Sequence, residues 1–196
     1  MNSLLLASSR DSTGKTAVAL ALGRLAQDRG RSVGYMKPKG TRLQSNVGKT
    51  LDTDPMLARE VLGIDAEMHE MEPIVYSGTF IEGAIRGRED PAALGDRVES
   101  AFETLSEGMD LMVVEGGDRC TTGGIVDLAD DDVAERLDAD VLLLERLESA
   151  EDVDRLLGVA DRVGDRIAGV IFNAVPDSAY DLVESDGVPF LERRDI

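Results

Sequence analysis

Short apolar runs alternate along this chain with longer segments of helical period. The runs beginning at Leu4, Ser32, Asp110, Ala139 and Arg166 (Leu4–Leu6, Ser32–Met36, Asp110–Glu115, Ala139–Leu144 and Arg166–Asn173) are short and mostly apolar throughout, which predicts buried strands. Ala17–Gln27, Met56–Leu62, Pro91–Leu105, Ile125–Leu137 and Ser149–Val163 predict helices between them. Pro91–Leu105 is the plainest: Leu94, Val98, Ala101, Phe102 and Leu105 form one apolar stripe. Ser149 with Asp152 three residues on is a capping-box-like start, with Asp in place of Glu. Strands alternating with helices predict an α/β fold of three layers, a mainly parallel sheet with helices on both faces. Arg42–Thr53 is polar and aperiodic and reads as a loop. In the stretch 64–90, Glu72–Tyr76 reads as extended and Phe80–Ile85 as a helical turn.

The first strand leads into Ala7-Ser8-Ser9-Arg10-Asp11-Ser12-Thr13-Gly14-Lys15-Thr16, and a helix follows at once. Strand, small polar loop, Gly-Lys-Thr and helix make a phosphate-binding loop, and the fold is therefore expected to be that of a P-loop NTPase. Amide hydrogens of Ser12, Thr13, Gly14, Lys15, Thr16 and Ala17 at the helix start favour an anion. Gly14 lets the backbone approach a phosphate oxygen. Lys15 reaches the β- and γ-phosphates, and Thr16 offers a hydroxyl to Mg²⁺. The usual opening glycine of the motif is Ser9 here.

Composition narrows the partners. The net charge is −18 over 196 residues, spread along the chain, which disfavours nucleic acid and anionic membrane surfaces as partners. Aromatics are 4% and Trp is absent, so the core is expected to consist of Leu, Val, Ile and Ala. The diffusely acidic, lysine-poor composition resembles proteins of salt-loving microbes. Only Lys15, Lys37, Lys39 and Lys49 are lysines, and all lie in the first quarter of the chain, in the P-loop or in the segment after the next strand. No apolar run reaches the ~18–20 residues of a membrane helix, and no leader sequence precedes the P-loop, so a cytoplasmic protein is expected. Cys120 stands alone and reads as an inert small side chain, and His69, the sole histidine, as a solvated loop residue rather than a base.

Other residues gain meaning from their place at strand ends, because ligands in open α/β sheets lie outside the carboxyl ends of the strands. Lys37 leaves the second strand at that edge and is expected to face the phosphate site. Glu115 ends the third strand, as does the carboxylate that approaches the Mg²⁺ shell in P-loop ATPases. Asp52 and Asp54 flank the start of a helix; each either caps it or holds Mg²⁺. Asn173 ends the last strand and reads either as a turn residue or as a contact to a nucleotide base.

Together the Ser-rich P-loop, Gly34-Tyr35-Met36-Lys37-Pro38, Asp54, Val114-Glu115-Gly116-Gly117 and Ile171-Phe172-Asn173 resemble the dethiobiotin synthase family. The resemblance runs from Ser3 to about Glu192. Its wider group includes cobyrinic acid a,c-diamide synthase and the nucleotide-binding N-terminal domain of some phosphate acetyltransferases, the branch nearest by Ser12–Leu20 and Asp52-Thr53-Asp54. The resemblance implies ATP and Mg²⁺ as cofactors. It implies Lys15, Lys37 and Thr41 as catalytic residues, Thr16, Asp54 and Glu115 as metal ligands, and Asn173 as reader of adenine. It further implies an unidentified small-molecule substrate and a homodimer. The chain departs from the family where Ser8-Ser9-Arg10-Asp11 replaces Gly-Thr-Asp-Thr and where Asp118-Arg119-Cys120 replaces an apolar stretch. Arg10 is expected either to reach across a dimer or to pair with Asp11 or a neighbouring helix. The family runs on through a further strand and helix, which Ile196 is expected to open. The single domain 1–196 is thus expected to be shortened or to be the first part of a longer protein.

Three functions follow. The first is ATP-dependent activation of a carboxylate or carbamate in a ligase-type reaction. The second is a nucleotide-sensing domain without chemistry. The third is a partition-like ATPase switch, against whose DNA-surface form the net charge argues.

Overall fold

In the structure, a computed structural model, residues 1–41, 43–46 and 49–196 are described, with backbone alone for 44–46 and 49–51. In chain order the elements are β1 (Asn2–Ala7), α1 (Lys15–Asp28), β2 (Val33–Met36), β3 (Lys39–Gly40), β4 (Leu43–Asn46), β5 (Lys49–Asp52) and α2 (Thr53–Leu62). They continue with α3 (Met68–Met71), β6 (Ile74–Val75), α4 (Gly78–Ile85), α5 (Pro91–Ser106) and β7 (Leu111–Glu115). The last are α6 (Asp130–Arg136), β8 (Asp140–Glu145), α7 (Ala150–Val163) and β9 (Ile167–Phe172).

The five apolar runs pair as one parallel sheet in the order β2-β7-β1-β8-β9. β1, the strand feeding the P-loop, is central, with Leu6 opposite Glu115 on one side and Leu142 on the other. Leu5, Leu6, Met112, Val113, Val114, Leu143 and Leu144 are fully buried, as strands covered by helices on both faces must be. The stripe on α5 closes one part of this core through Leu94, Val98, Phe102 and Leu105. Because every strand runs the same way, residues just beyond β2, β7, β1, β8 and β9 gather along one edge. That edge carries, from one end to the other, Lys37, Glu115, the P-loop, Glu145 and Asn173.

Two expectations change. The polar segment read as a loop contains an antiparallel hairpin, β4 with β5, pairing Leu43 with Asp52; Arg42, Val47 and Gly48 lie outside the described residues. A polar hairpin lacks the apolar alternation that announces a strand. Residues Gly124–Val126 form a 3-10 turn, and α6 starts only at Asp130. Asp127 stands between them with φ 53, a left-handed conformation that no continuous helix accommodates. Ile196 follows the helical segment Val188–Glu192, and its amide donates to the Leu191 carbonyl at 3.2 Å. Among the described residues no helix is long and apolar enough to cross a membrane.

Candidate functional site

The loop from Ser8 to Gly14 turns β1 into α1. Ser12 (φ 57) and Gly14 (φ 95) both adopt left-handed conformations. At Gly14 a side chain would also collide with Asn173, whose Nδ2 would stand 2.5 Å from its Cβ. That Nδ2 donates to the Thr13 carbonyl at 2.8 Å, so β9 braces the loop from outside. From β8, the Glu145 carboxylate accepts the Ser9 amide and the Ser9 hydroxyl, the latter at 2.7 Å. This explains the serine at the usual glycine position: the hydroxyl satisfies a carboxylate that is 1% exposed. Burial raises the Glu145 pKa, and the two Ser9 hydrogen bonds oppose the shift. Arg10 pairs with Asp152 at 3.2 Å and Glu148 at 3.8 Å near the start of α7, the neighbouring-helix alternative for this residue.

The loop encloses one side of a cavity of about 280 Å³ lined by residues 12–17, Lys37, Asp54 and 115–118. Lys15 Nζ donates to Ser8 Oγ at 2.6 Å and the Asp118 carbonyl at 3.2 Å. Burial lowers the Lys15 pKa, and the Asp130 and Glu115 carboxylates oppose that shift only in part. An incoming anion would restore the missing negative charge. Thr13 Oγ1 is buried and has no hydrogen-bond partner among the described residues, a donor ready for such an anion.

Buried charge fills the opposite wall. Thr16 Oγ1 donates to Glu115 at 2.7 Å, and Tyr35 donates to the other oxygen of that carboxylate at 2.7 Å. Lys37, 2% exposed, bonds Asp54 and lies 3.2 Å from Asp52 and 3.5 Å from Glu115. Burial works against its charge, but Glu115, Asp52 and Asp54 outweigh it and raise its pKa. Burial raises the Glu115 pKa, with Lys37 opposing. The donor set suits Mg²⁺: one hydroxyl and two carboxylates, all hard oxygens, beside a pocket for phosphate oxygens. Among the described residues no cluster of three or more His, Cys, Asp or Glu would hold a metal by itself.

Beyond Lys37 the wall continues through Asp52. Its side chain caps α2 by accepting the Asp54 amide at 2.8 Å, so Asp52 is the cap. It also accepts the Thr41 amide at 2.8 Å. Thr41 Oγ1 donates to Asp118 at 2.9 Å, which ties the segment after β2 to the turn after β7. Glu72 accepts the Asp52 amide at 2.8 Å from behind, and burial pushes its pKa up to about 7.

The residues singled out from the sequence therefore converge. Ser12, Thr13, Gly14, Lys15, Thr16, Ala17, Lys37, Asp54 and Glu115 line one cavity. Thr41 meets it through Asp118. Asn173 is placed behind the loop, touching Thr13 rather than lining the cavity. His69 is exposed on α3, and the buried Cys120 thiol is pushed up to about 12 by burial and by Asp130 and Asp131. Sequence reasoning missed Glu145, although an apolar run ending in an acid is the same pattern that marked Glu115. It also missed Tyr35, Glu72 and the pair Lys39–Asp130.

The model of the AAA_26 family, an AAA domain, matches residues 2–194. The ATP-dependent dethiobiotin synthetase BioD of Methanococcus vannielii is 26% identical over 166 residues, covering 84% of this chain and 75% of the relative. The ATP-dependent dethiobiotin synthetase BioD of Frankia casuarinae is 30% identical over 183 residues, covering 90% of this chain and 73% of the relative. Among solved structures, the MinD cell division protein of Aquifex aeolicus superposes with a TM-score of 0.55 at 16% identity. It covers 98% of this chain and 79% of its own, a likeness of fold.

Proposed function

This chain belongs to the AAA_26 family and is a dethiobiotin synthetase-like P-loop protein, and from that premise we propose that it activates a small carboxylate or carbamate with ATP. The observation that carries the reading is the placing of two lysines, Lys15 and Lys37, on facing walls of one cavity with Thr16, Asp54 and Glu115. Phosphoryl transfer asks a protein mainly for positioning and for positive charge around the transferred group.

In this reading the loop amides of residues 12–17 and the Thr13 hydroxyl bind the phosphate chain. Lys15 meets the β- and γ-phosphates. Thr16, Asp54 and Glu115 would hold Mg²⁺, which when bound neutralises phosphate charge. Lys37 orients the acceptor oxygen, and Thr41 with Asp118 borders the acceptor. The acceptor oxygen forms a bond to the γ-phosphorus as the bond to the bridging oxygen of ADP breaks, and a mixed anhydride results. Asn173 reads adenine with the part of its amide not spent on Thr13. The apolar side chains Met56, Leu57 and Val61 exposed on α2 support a homodimer, and the dependence on ATP supports a cytoplasmic setting.

A phosphate-release assay with Mg-ATP and a panel of diamines and carboxylic acids tests the reaction. Release that depends on one of these acceptors is the expected result. Tight Mg-ATP binding with no release from any of them would replace the ligase by the nucleotide-sensing domain that resemblance to the phosphate acetyltransferase branch suggests.

A further inference from the structure

Lys39 and Asp130 are both 0% exposed, and neither lines the cavity. Lys39 Nζ bonds Asp130 Oδ1 at 2.7 Å, and the Gly117 amide donates to the same oxygen at 2.9 Å. The lysine stem reaches this point between two glycines. A Cβ on Gly117 would stand 3.2 Å from Lys39 Cε, and one on Gly123 3.0 Å from Lys39 Cδ. The turn after β7 is thus wrapped around a lysine from β3. It is fixed further by the Gly116 amide on the Leu6 carbonyl (2.9 Å) and the Cys120 amide on the Ser8 carbonyl (2.8 Å).

Asp118 follows Gly117 directly. Its carbonyl holds Lys15 and its carboxylate holds Thr41, two residues after Lys39. The segment 37–41 and the turn 116–118 are therefore joined twice, in front by Thr41–Asp118 and behind by Lys39–Asp130. A buried ion pair is weak evidence for stability, since desolvation offsets much of its attraction. Its geometry points to placement instead. In a chain with four lysines, one is fully buried outside the cavity lining.

We infer that Lys39 and Asp130 are positioning residues: the buried pair sets the Gly117–Asp118 backbone and through it the direction of Lys15 toward the terminal phosphate. The inference rests on the proposed nucleotide site but not on turnover. Loss of the pair lets the turn relax, and Lys15 then serves the γ-phosphate less well than the β-phosphate, which the loop amides also hold.

The test is calorimetry of Mg²⁺ complexes of ADP and of a non-hydrolysable ATP analogue with wild type, Asp130→Asn and the double variant Lys39→Met/Asp130→Asn. The double variant removes both charges at near-constant shape. Asp130→Asn alone keeps an acceptor for Gly117 and Lys39 and serves where the double variant does not fold. The expected result is a fall of about tenfold in the analogue-to-ADP affinity ratio in the double variant and about threefold in Asp130→Asn, with ADP affinity nearly unchanged. A merely structural role would weaken both nucleotides together, and an unchanged ratio would overturn the inference. Absence of nucleotide binding by the wild type would instead overturn the proposed function.

Discussion

The two walls of the cavity are built by different physics. The P-loop wall is braced from outside by hydrogen bonds, Asn173 on the Thr13 carbonyl and Ser9 on Glu145. The facing wall is an assembly of buried charges: Lys37 among Asp52, Asp54 and Glu115, with Glu72 behind. A hydrogen bond contributes about 0.5–1.5 kcal/mol net, whereas removing one partner of a buried ion pair costs about 3–5 kcal/mol. Substitution in the first wall is therefore expected to cost the fold less than substitution in the second.

The largest expected effect follows from exchanging each lysine for methionine. Lys37→Met removes the buried cation shared by Asp52, Asp54 and Glu115 and is expected to lower unfolding free energy by about 3–5 kcal/mol in urea titration. Lys15→Met removes a cation whose pKa burial already lowers, so its cost to the fold is expected to be about 1 kcal/mol or less. Equal costs would erase the distinction between the walls.

Next comes pH. Glu72 is nearly buried, and its pKa of about 7 in the fold exceeds the ordinary value of 4.5. An acid of this kind supports the fold while protonated, so its contribution is complete below pH 4.5 and is lost as pH rises to 7 and above. Relative to Glu72→Gln, the wild type is expected to lose up to about 3 kcal/mol across that window. Parallel stability curves for the two proteins between pH 4.5 and 8 would place the carboxylate in a less buried setting.

These two effects fall on the wall that was harder to read from sequence. The P-loop is contiguous and marked by a spacing that chemistry dictates, so Ser12 to Ala17 and the fold around them were legible. Glu115 and Lys37 were legible as well, because parallel strands deliver their ends to one edge. Glu72 and Asp130 were not. Their roles depend on contacts between segments distant in sequence, such as Glu72 with Asp52 and Asp130 with Lys39. The hairpin β4–β5 is not legible because its strands are polar, and α6 starts at Asp130 rather than Ile125 because a left-handed Asp127 interrupts an otherwise helical pattern.

Smaller effects sharpen the contrast. Glu145→Ala leaves the Ser9 amide and hydroxyl without their acceptor and is expected to cost about 1–2 kcal/mol of stability. Its effect on nucleotide affinity should exceed that of Glu72→Gln, since Glu145 holds the loop itself. Equal effects on affinity would show that the brace does not reach the phosphate site. The least local effect is that of salt. With a net charge of −18, the Tm is expected to rise by several degrees between 0.1 and 1 M NaCl as self-repulsion is screened. A Tm that falls would remove the reading of the acidic surface as an adaptation to salt.

The most direct test of the account is calorimetry of Mg-ATP with the wild type and Lys15→Met side by side. The account predicts one nucleotide bound per wild-type chain and affinity about 100-fold weaker in Lys15→Met, whose melting midpoint stays close to that of the wild type. No binding to the wild type, or equal binding to both, would contradict it.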